Sequence, residues 1–279
     1  MSQLQEEFLA VGRPTVPTLP KRPVPLWRNR DYMLLWSGQM VSSIGTRVSL
    51  LAFPLLILAI THSPAQAGLI AALRGLPYAL FVLPAGALID HWDRKRIMIL
   101  CDSGRALALG SIPVALILGH LTVVQLYLVS LIEGTLFTFF NLAETACLTR
   151  VVPKEQLPVA TAQNMMIDST SGLLGPSLGG VLYSIGRLIP FLTDAISYGV
   201  SVLSLFFIKT KFQEDRVAKP IRLWTDIGEG LRWLWHQPLM RFIALLTCGI
   251  TTPVVGYGLI LIVLAQGQHA SAFVIGLIF

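Results

Sequence analysis

A chain of 279 residues that is 54 % hydrophobic and only 13 % charged, with a mean hydropathy of +0.68, carries about half the charge of a soluble domain, for which about 25 % is usual, so the bilayer is its solvent. The net charge of +6 does not signal nucleic acid, because the Lys and Arg residues lie in loops between apolar spans rather than on one face. Cys101, Cys147 and Cys248 have neither pairing nor metal-ligand spacing and the histidines are scattered, so no metal and no cofactor is expected.

Residues 1–30 form a polar tail with Pro14, Pro17, Pro20, Pro23 and Pro25, a composition that cannot bury enough apolar area to fold and reads as disordered. No signal peptide precedes the first apolar run, which begins near Tyr32 and is too long for an h-region. A spanning helix needs about 20 mostly apolar residues. Seven runs have that length, at roughly 32–60, 67–89, 97–118, 123–147, 158–185, 188–208 and 239–265, and an eighth begins near Ser271. The expected division is therefore a tail (1–30), a six-helix unit (31–208), a polar segment (209–238) and a further helical stretch (239–279). Within the polar segment, Asp226 and Glu229 have capping-box spacing and Trp224, Ile227, Leu231 and Leu234 recur at helical spacing, which predicts a short helix lying on the membrane face. Seventeen of the 21 Lys and Arg residues fall in the tail and in alternate loops, against Arg187 alone in the intervening loops. That bias predicts a multi-pass inner (plasma) membrane protein with a cytoplasmic N-terminus. The remaining three, Arg47, Arg74 and Arg105, lie within spans.

The turn Gly86-Ala-Leu-Ile-Asp90-His-Trp-Asp93-Arg94-Lys95-Arg96 joins the second and third spans. Gly86 would let a helix end approach a neighbour closely, Asp90 meets water, and Arg94, Lys95 and Arg96 hold the turn on the positive side. Its spacing resembles the loop 2–3 signature of the major facilitator superfamily, with Asp93 where that signature has Gly and His91 where it often has Arg. In the fifth span Gly172, Gly175 and Gly179 form one smooth stripe, Pro176 permits a bend, and Gly180 follows. This stretch resembles the Gly-Pro-x-x-Gly-Gly signature of exporters and antiporters in the superfamily. Asn141-Leu-Ala-Glu144 resembles the Asp-Pro-Ala segment of the drug, macrolide and siderophore exporter branch, with Asn in place of Asp. One departure is notable: where proton-coupled drug exporters carry an intramembrane Arg, four residues before Gly134, this chain has Ser130.

Charge inside a bilayer is costly and marks function. Arg47 continues a polar stripe of Gln39 and Ser43 on the first span, and Glu133 lies near the middle of the fourth. Both are expected to face the bundle interior, where Glu133 is a candidate for proton binding and the two could also pair with each other. Asp168, extending the glycine stripe with Asn164, is placed at the mouth of a cavity or in a solvated vestibule. Asp102 and Arg105, spaced i, i+3, are expected to neutralise each other locally. Arg94 is expected to reach Glu144 at the close of the fourth span and to lock one conformation. Candidate transport and coupling residues are thus Glu133, Arg47, Gln39 and Asp168, with Gly86, Asp90, Arg94, Lys95, Arg96 and Glu144 as a conformational switch.

The resemblance implies an all-α polytopic membrane protein with the superfamily fold, comprising a complete N-terminal six-helix half and the start of the second. It implies efflux of hydrophobic or amphipathic small molecules, drug-, macrolide- or siderophore-like, by proton-coupled antiport and alternating access. The partners expected are the lipid bilayer, a small-molecule substrate and protons, and no nucleic acid. No enzyme is expected: there is no Gly-x-x-x-x-Gly-Lys loop for ATP and no histidine deep in a span. The run after Ser271 covers about 12 Å of a ~30 Å hydrocarbon core before Phe279. The expectation is a piece of a transporter of about twelve helices, needing a C-terminal half or a second copy to complete the cavity. The rival expectation is a non-transporting membrane scaffold.

Overall fold

Polar breaks between the apolar runs carry the residues that start helices. Asn29 accepts a hydrogen bond from the Tyr32 amide at 3.2 Å, Asp93 from Arg96 at 3.2 Å, Thr122 from Gln125 at 3.2 Å and Ser271 from Val274 at 3.3 Å, each meeting a donor that the first helical turn leaves unmade. In the computed structural model, which describes residues 25–89, 91–210, 212, 228, 232–233, 235–268 and 270–279, these caps open α1 (Arg30–Thr61), α3 (Arg94–Ile117), α4 (Val123–Val151) and α8 (Ala272–Ile278). The others are α2 (Pro64–Ile89), α5 (Leu157–Ile185), α6 (Ile189–Phe207) and α7 (Pro238–Gly267). Proline stands in the first turn of α5, α6 and α7, where its missing N–H costs nothing. The regular elements among the described residues are helical throughout. Asp90, most of residues 1–30 and most of the predicted surface helix in 209–238 lie outside the described residues.

Five of the helices, α1 to α4 and α6, are long and apolar enough to cross a membrane. The fifth predicted span also forms as α5, 29 residues long, but Gln163, Asn164, Asp168 and its Ser, Thr and Gly residues dilute its apolarity. Large apolar side chains point outward: on α3, Leu100 and Leu107 are 70 % and 77 % exposed, a surface that suits lipid and not water.

Short connections make successive helices antiparallel, so the start of α1, the α2–α3 turn, the α4–α5 connection and the end of α6 share one end of the bundle, here the basic end. Cross-links join them there. Asn29 Nδ2 donates to the Val151 carbonyl at 2.8 Å, Tyr32 Oη to Gln163 Oε1 at 2.6 Å, Lys95 Nζ to the Ile208 carbonyl at 2.6 Å and the Thr210 amide to Asp31 Oδ2 at 2.8 Å. α1 lies between α6 and α5, α2 against α4, and α3 between α6 and α4, while α8 packs on α5.

Two apolar cores fill the bundle. One, at the basic end, includes Tyr32, Leu35, Met98, Phe140, Cys147 and Leu205. The other includes Phe53, Leu56, Ile57, Leu109, Ile112 and Phe191, with the Phe53 and Phe191 rings edge to face at 5.1 Å. Between them lies a layer of buried charge.

The glycines decide which helices meet. A Cβ on Gly134 would strike the backbone carbonyl of Arg74, so this glycine sets the approach of α2 to α4. Gly175 and Gly179 seat α5 on α1 at Arg47 and Val48, and Gly180 receives Ala272 and Gly276 of α8. Gly172 of the same predicted stripe meets open space, as does Gly86. Close approach is therefore not the role of either, because at both positions the side of the backbone where a Cβ would stand meets no neighbour.

Candidate functional site

Glu133 is fully buried in the charged layer and is held from three sides. Arg74 of α2 brings Nε to within 2.6 Å of Oε2, Arg105 of α3 donates from Nη2 to Oε1 at 2.8 Å, and Tyr198 of α6 donates from Oη to Oε1 at 3.4 Å. Arg105 also pairs with Asp102 through Nη1 and Oδ1 at 3.5 Å and lies over the Tyr198 ring at 4.0 Å, a stacked cation of the kind that a planar guanidinium makes well. Tyr198 Oη shares a hydrogen bond with Thr46 of α1 at 2.8 Å. One carboxylate thus connects four helices directly and α1 through the phenol. Asp194, also fully buried, accepts from Ser197 Oγ at 3.2 Å, one layer closer to the packed α1–α6 seam at Gly45.

Beside this layer is a cavity of about 590 Å³, within the size range of small-molecule sites. α1, α2, α4 and α5 wall it, and Arg105 reaches it from α3. Its lining is amphipathic: Tyr78, Phe137 and Phe140 lie among Thr46, Asn141 and Asn164. Gln39, Arg47, Glu133, Glu144 and Asp168 all contribute to this one wall. Gln39 is buried, Arg47 and Glu144 are half-buried, and Asp168 is exposed at the rim.

The pairings differ from those the spans suggested. Arg47 makes no ion pair among the described residues, and its Cβ rests against Gly175, while Glu133 is taken by Arg74 and Arg105. Residue depth placed Arg47 and Glu133 together, but each helix presents a different face at that depth, and α2 comes closest to Glu133 because Gly134 admits it. Asp102 does not satisfy Arg105 alone, since the guanidinium has a second edge that reaches α4. Ser130 is buried without a hydrogen-bond partner among the described residues, and the guanidinium groups that reach Glu133 come from the neighbouring helices. In the sequence, Asp194 with Ala195, Ser197 and Tyr198 fits the exporter branch by resemblance, which implies only scaffold positions and not a partner for Glu133.

At the basic end, Arg94 Nη1 donates to the Ala146 carbonyl at 3.1 Å. Glu144 accepts no hydrogen bond and forms no ion pair among the described residues, so the expected lock between Arg94 and Glu144 is replaced by one to the α4 backbone. Glu144 lines the cavity, and Arg94 instead meets a backbone carbonyl five residues before the end of α4, toward the negative end of that helix's dipole. Lys95 does the same for the end of α6, and Arg96 stays exposed beside Asp93 at 3.5 Å.

The profile of the Major Facilitator Superfamily matches residues 35–279. A transporter of Bacillus subtilis described as the uncharacterized MFS-type transporter YfiS is 30 % identical over 236 residues, 80 % of this chain and 54 % of that protein. The multidrug efflux pump Tap of Mycolicibacterium fortuitum is 23 % identical over 222 residues, 76 % of this chain and 54 % of the pump. Macrolide efflux protein A of Streptococcus pyogenes is 27 % identical over 192 residues, 68 % of this chain and 47 % of that protein. The chain spans about half the length of the curated relatives it matches. With spanning apolar helices, a charged interior and a match over nearly its whole length, this multi-pass membrane protein belongs to the major facilitator superfamily.

Proposed function

We propose that the protein exports hydrophobic or amphipathic small molecules, drug-, macrolide- or siderophore-like, across the plasma membrane by proton-coupled antiport, with its basic end and N-terminus in the cytoplasm. The observation that carries this reading is the amphipathic cavity with Glu133 and its two arginines on its wall. A pocket lined by aromatic rings and a few polar groups suits an amphipathic cargo. Relatives described as multidrug and macrolide efflux proteins support the export direction.

The geometry of Glu133 supports coupling. Its ionised carboxylate ties α2 and α3 to α4 through Arg74 and Arg105. A proton arriving at Oε1 or Oε2 removes that charge and frees both guanidinium groups to turn toward the cavity. The helices can then shift, and cargo and proton exchange sides in alternating access. The exposed rim at Asp168 faces a second six-helix unit, in the same protein or a second copy, against which this unit rocks.

The test uses everted membrane vesicles carrying the protein, energised to an acidic interior and given a radiolabelled macrolide. Accumulation that nigericin abolishes supports the reading, and vesicles that never accumulate the compound above a protein-free control sink it. Glu133→Gln should abolish the dependence on the gradient while cargo binding persists, and an unchanged pH profile in that variant would move coupling to another group.

A further inference from the structure

Nearer the basic end, the same cavity has a second polar level that the arginine layer does not use. Gln39 lies nine residues into α1, Glu144 seven residues before the end of α4 and Asp168 eleven residues into α5. At the rise of a helix these positions are roughly 10–17 Å from the basic end, against roughly 27 Å for Glu133. Of the arginines of the wall, Arg47 and Arg74 lie deeper, and Arg105, at roughly 17 Å from the basic end, turns its guanidinium to Glu133 and Asp102. Glu144 has neither hydrogen bond nor ion pair among the described residues, and the carboxylates of Asp102 and Asp168 act on it. A half-buried carboxylate with carboxylates for neighbours lacks a counter-ion among the described residues.

A second feature points to a ligand independently. Gln39 is 6 % exposed and lines the cavity, yet its Nε2 has no acceptor among the described residues, while its Oε1 receives Ser42 Oγ at 3.5 Å. Buried amide donors are almost always satisfied, so an acceptor is missing from this level as well as a cation. The apolar frame is Phe140 and Leu148 on α4 and Ile167 on α5, and an aromatic face favours a cation.

We propose that this level is a cargo subsite for a protonated amine that carries a hydrogen-bond-accepting oxygen a few bonds away. The ammonium sits between Glu144 and Asp168, the oxygen accepts from Gln39 Nε2, and the apolar remainder lies along Phe140 toward Phe137. The subsite rests on the transport reading for its purpose, but its occupancy is a matter of binding alone.

The test is equilibrium binding of radiolabelled propranolol, a lipophilic amino alcohol, to the intact purified protein in lipid nanodiscs. Its competitors are the neutral diol in which a hydroxyl replaces the amine, and the amine without the hydroxyl. The wild type should bind propranolol at least tenfold more tightly than the diol. Glu144→Gln should erase that preference and Glu144→Asp should keep most of it. Asp168→Asn, a change at the exposed rim that puts no fold at risk, should reduce it severalfold. Gln39→Leu should weaken propranolol severalfold and leave the amine lacking the hydroxyl unchanged. Equal binding of amine and diol, an unaltered preference in both Glu144→Gln and Asp168→Asn, or no saturable propranolol binding would overturn the subsite. The macrolide vesicle assay separates the two readings. Gradient-driven accumulation without the amine preference refutes the subsite alone, and the preference without accumulation refutes transport alone.

Discussion

Glu133 and Glu144 sit on one helix, three turns apart, and line one cavity, yet their surroundings are opposite. Glu133 is enclosed by Arg74, Arg105 and Tyr198 drawn from three other helices, and Glu144 has no partner among the described residues. The difference separates the roles proposed for the two carboxylates. Taking a charge out of water is repaid only when its partners are in place, so the closed network at Glu133 is part of what holds the helices together. The open carboxylate at Glu144 is half-buried on the cavity wall and joins no other helix among the described residues, so it contributes little to the fold. One is a structural joint that a proton could release, the other a vacancy in the charge balance that a cargo could fill.

The strongest way to break that comparison is Glu133→Ala. It leaves two guanidinium groups buried without their anion and should cost about 3–5 kcal/mol, read as a large fall in thermal unfolding temperature in detergent. A loss of less than about 1 kcal/mol would show that the pairing holds nothing together. Gly134→Ala comes next. A Cβ there meets the Arg74 backbone, so α2 must move away from α4 at a cost of about 1–3 kcal/mol, and gradient-driven efflux should fall with it. Tyr198→Phe keeps the ring under Arg105 and removes the hydroxyl shared by Thr46 and Glu133. A loss of about 1 kcal/mol is expected, with a double-mutant cycle against Thr46→Val showing that the two changes are not additive. Glu144→Gln should be smallest, within about 0.5 kcal/mol of wild type, because no partner is left stranded. If instead it destabilises as much as Glu133→Ala, the two carboxylates are the same kind of residue and the contrast fails.

Much of the architecture was legible beforehand because it depends on local composition. An apolar run from 123 to 147 without proline, with Thr122 before it, becomes α4 whatever its neighbours are, and it extends to Val151 because nothing stops it before Val152-Pro153. The clustering of Lys and Arg in alternate loops likewise needs no contacts to be seen. Pro176 and the adjacent Gly179 and Gly180 advertised close packing, and α5 uses two of those glycines against two different helices.

The partners of the buried charges were another matter. Sequence determined that Arg47, Arg74, Arg105 and Glu133 would be buried in apolar helices and would have to be neutralised or reach a cavity, since hydrocarbon offers no solvation. It could not determine which would meet. Pairing depends on the rotation of each helix about its axis and on how closely two backbones approach, and those are settled by contacts between residues far apart in the chain. Gly134 against the Arg74 carbonyl, Gly175 against Arg47 and Tyr198 beneath Arg105 are such contacts. They carry Arg74 and Arg105 to Glu133, leave Arg47 and Glu144 facing the cavity, and only the packed bundle brings them about.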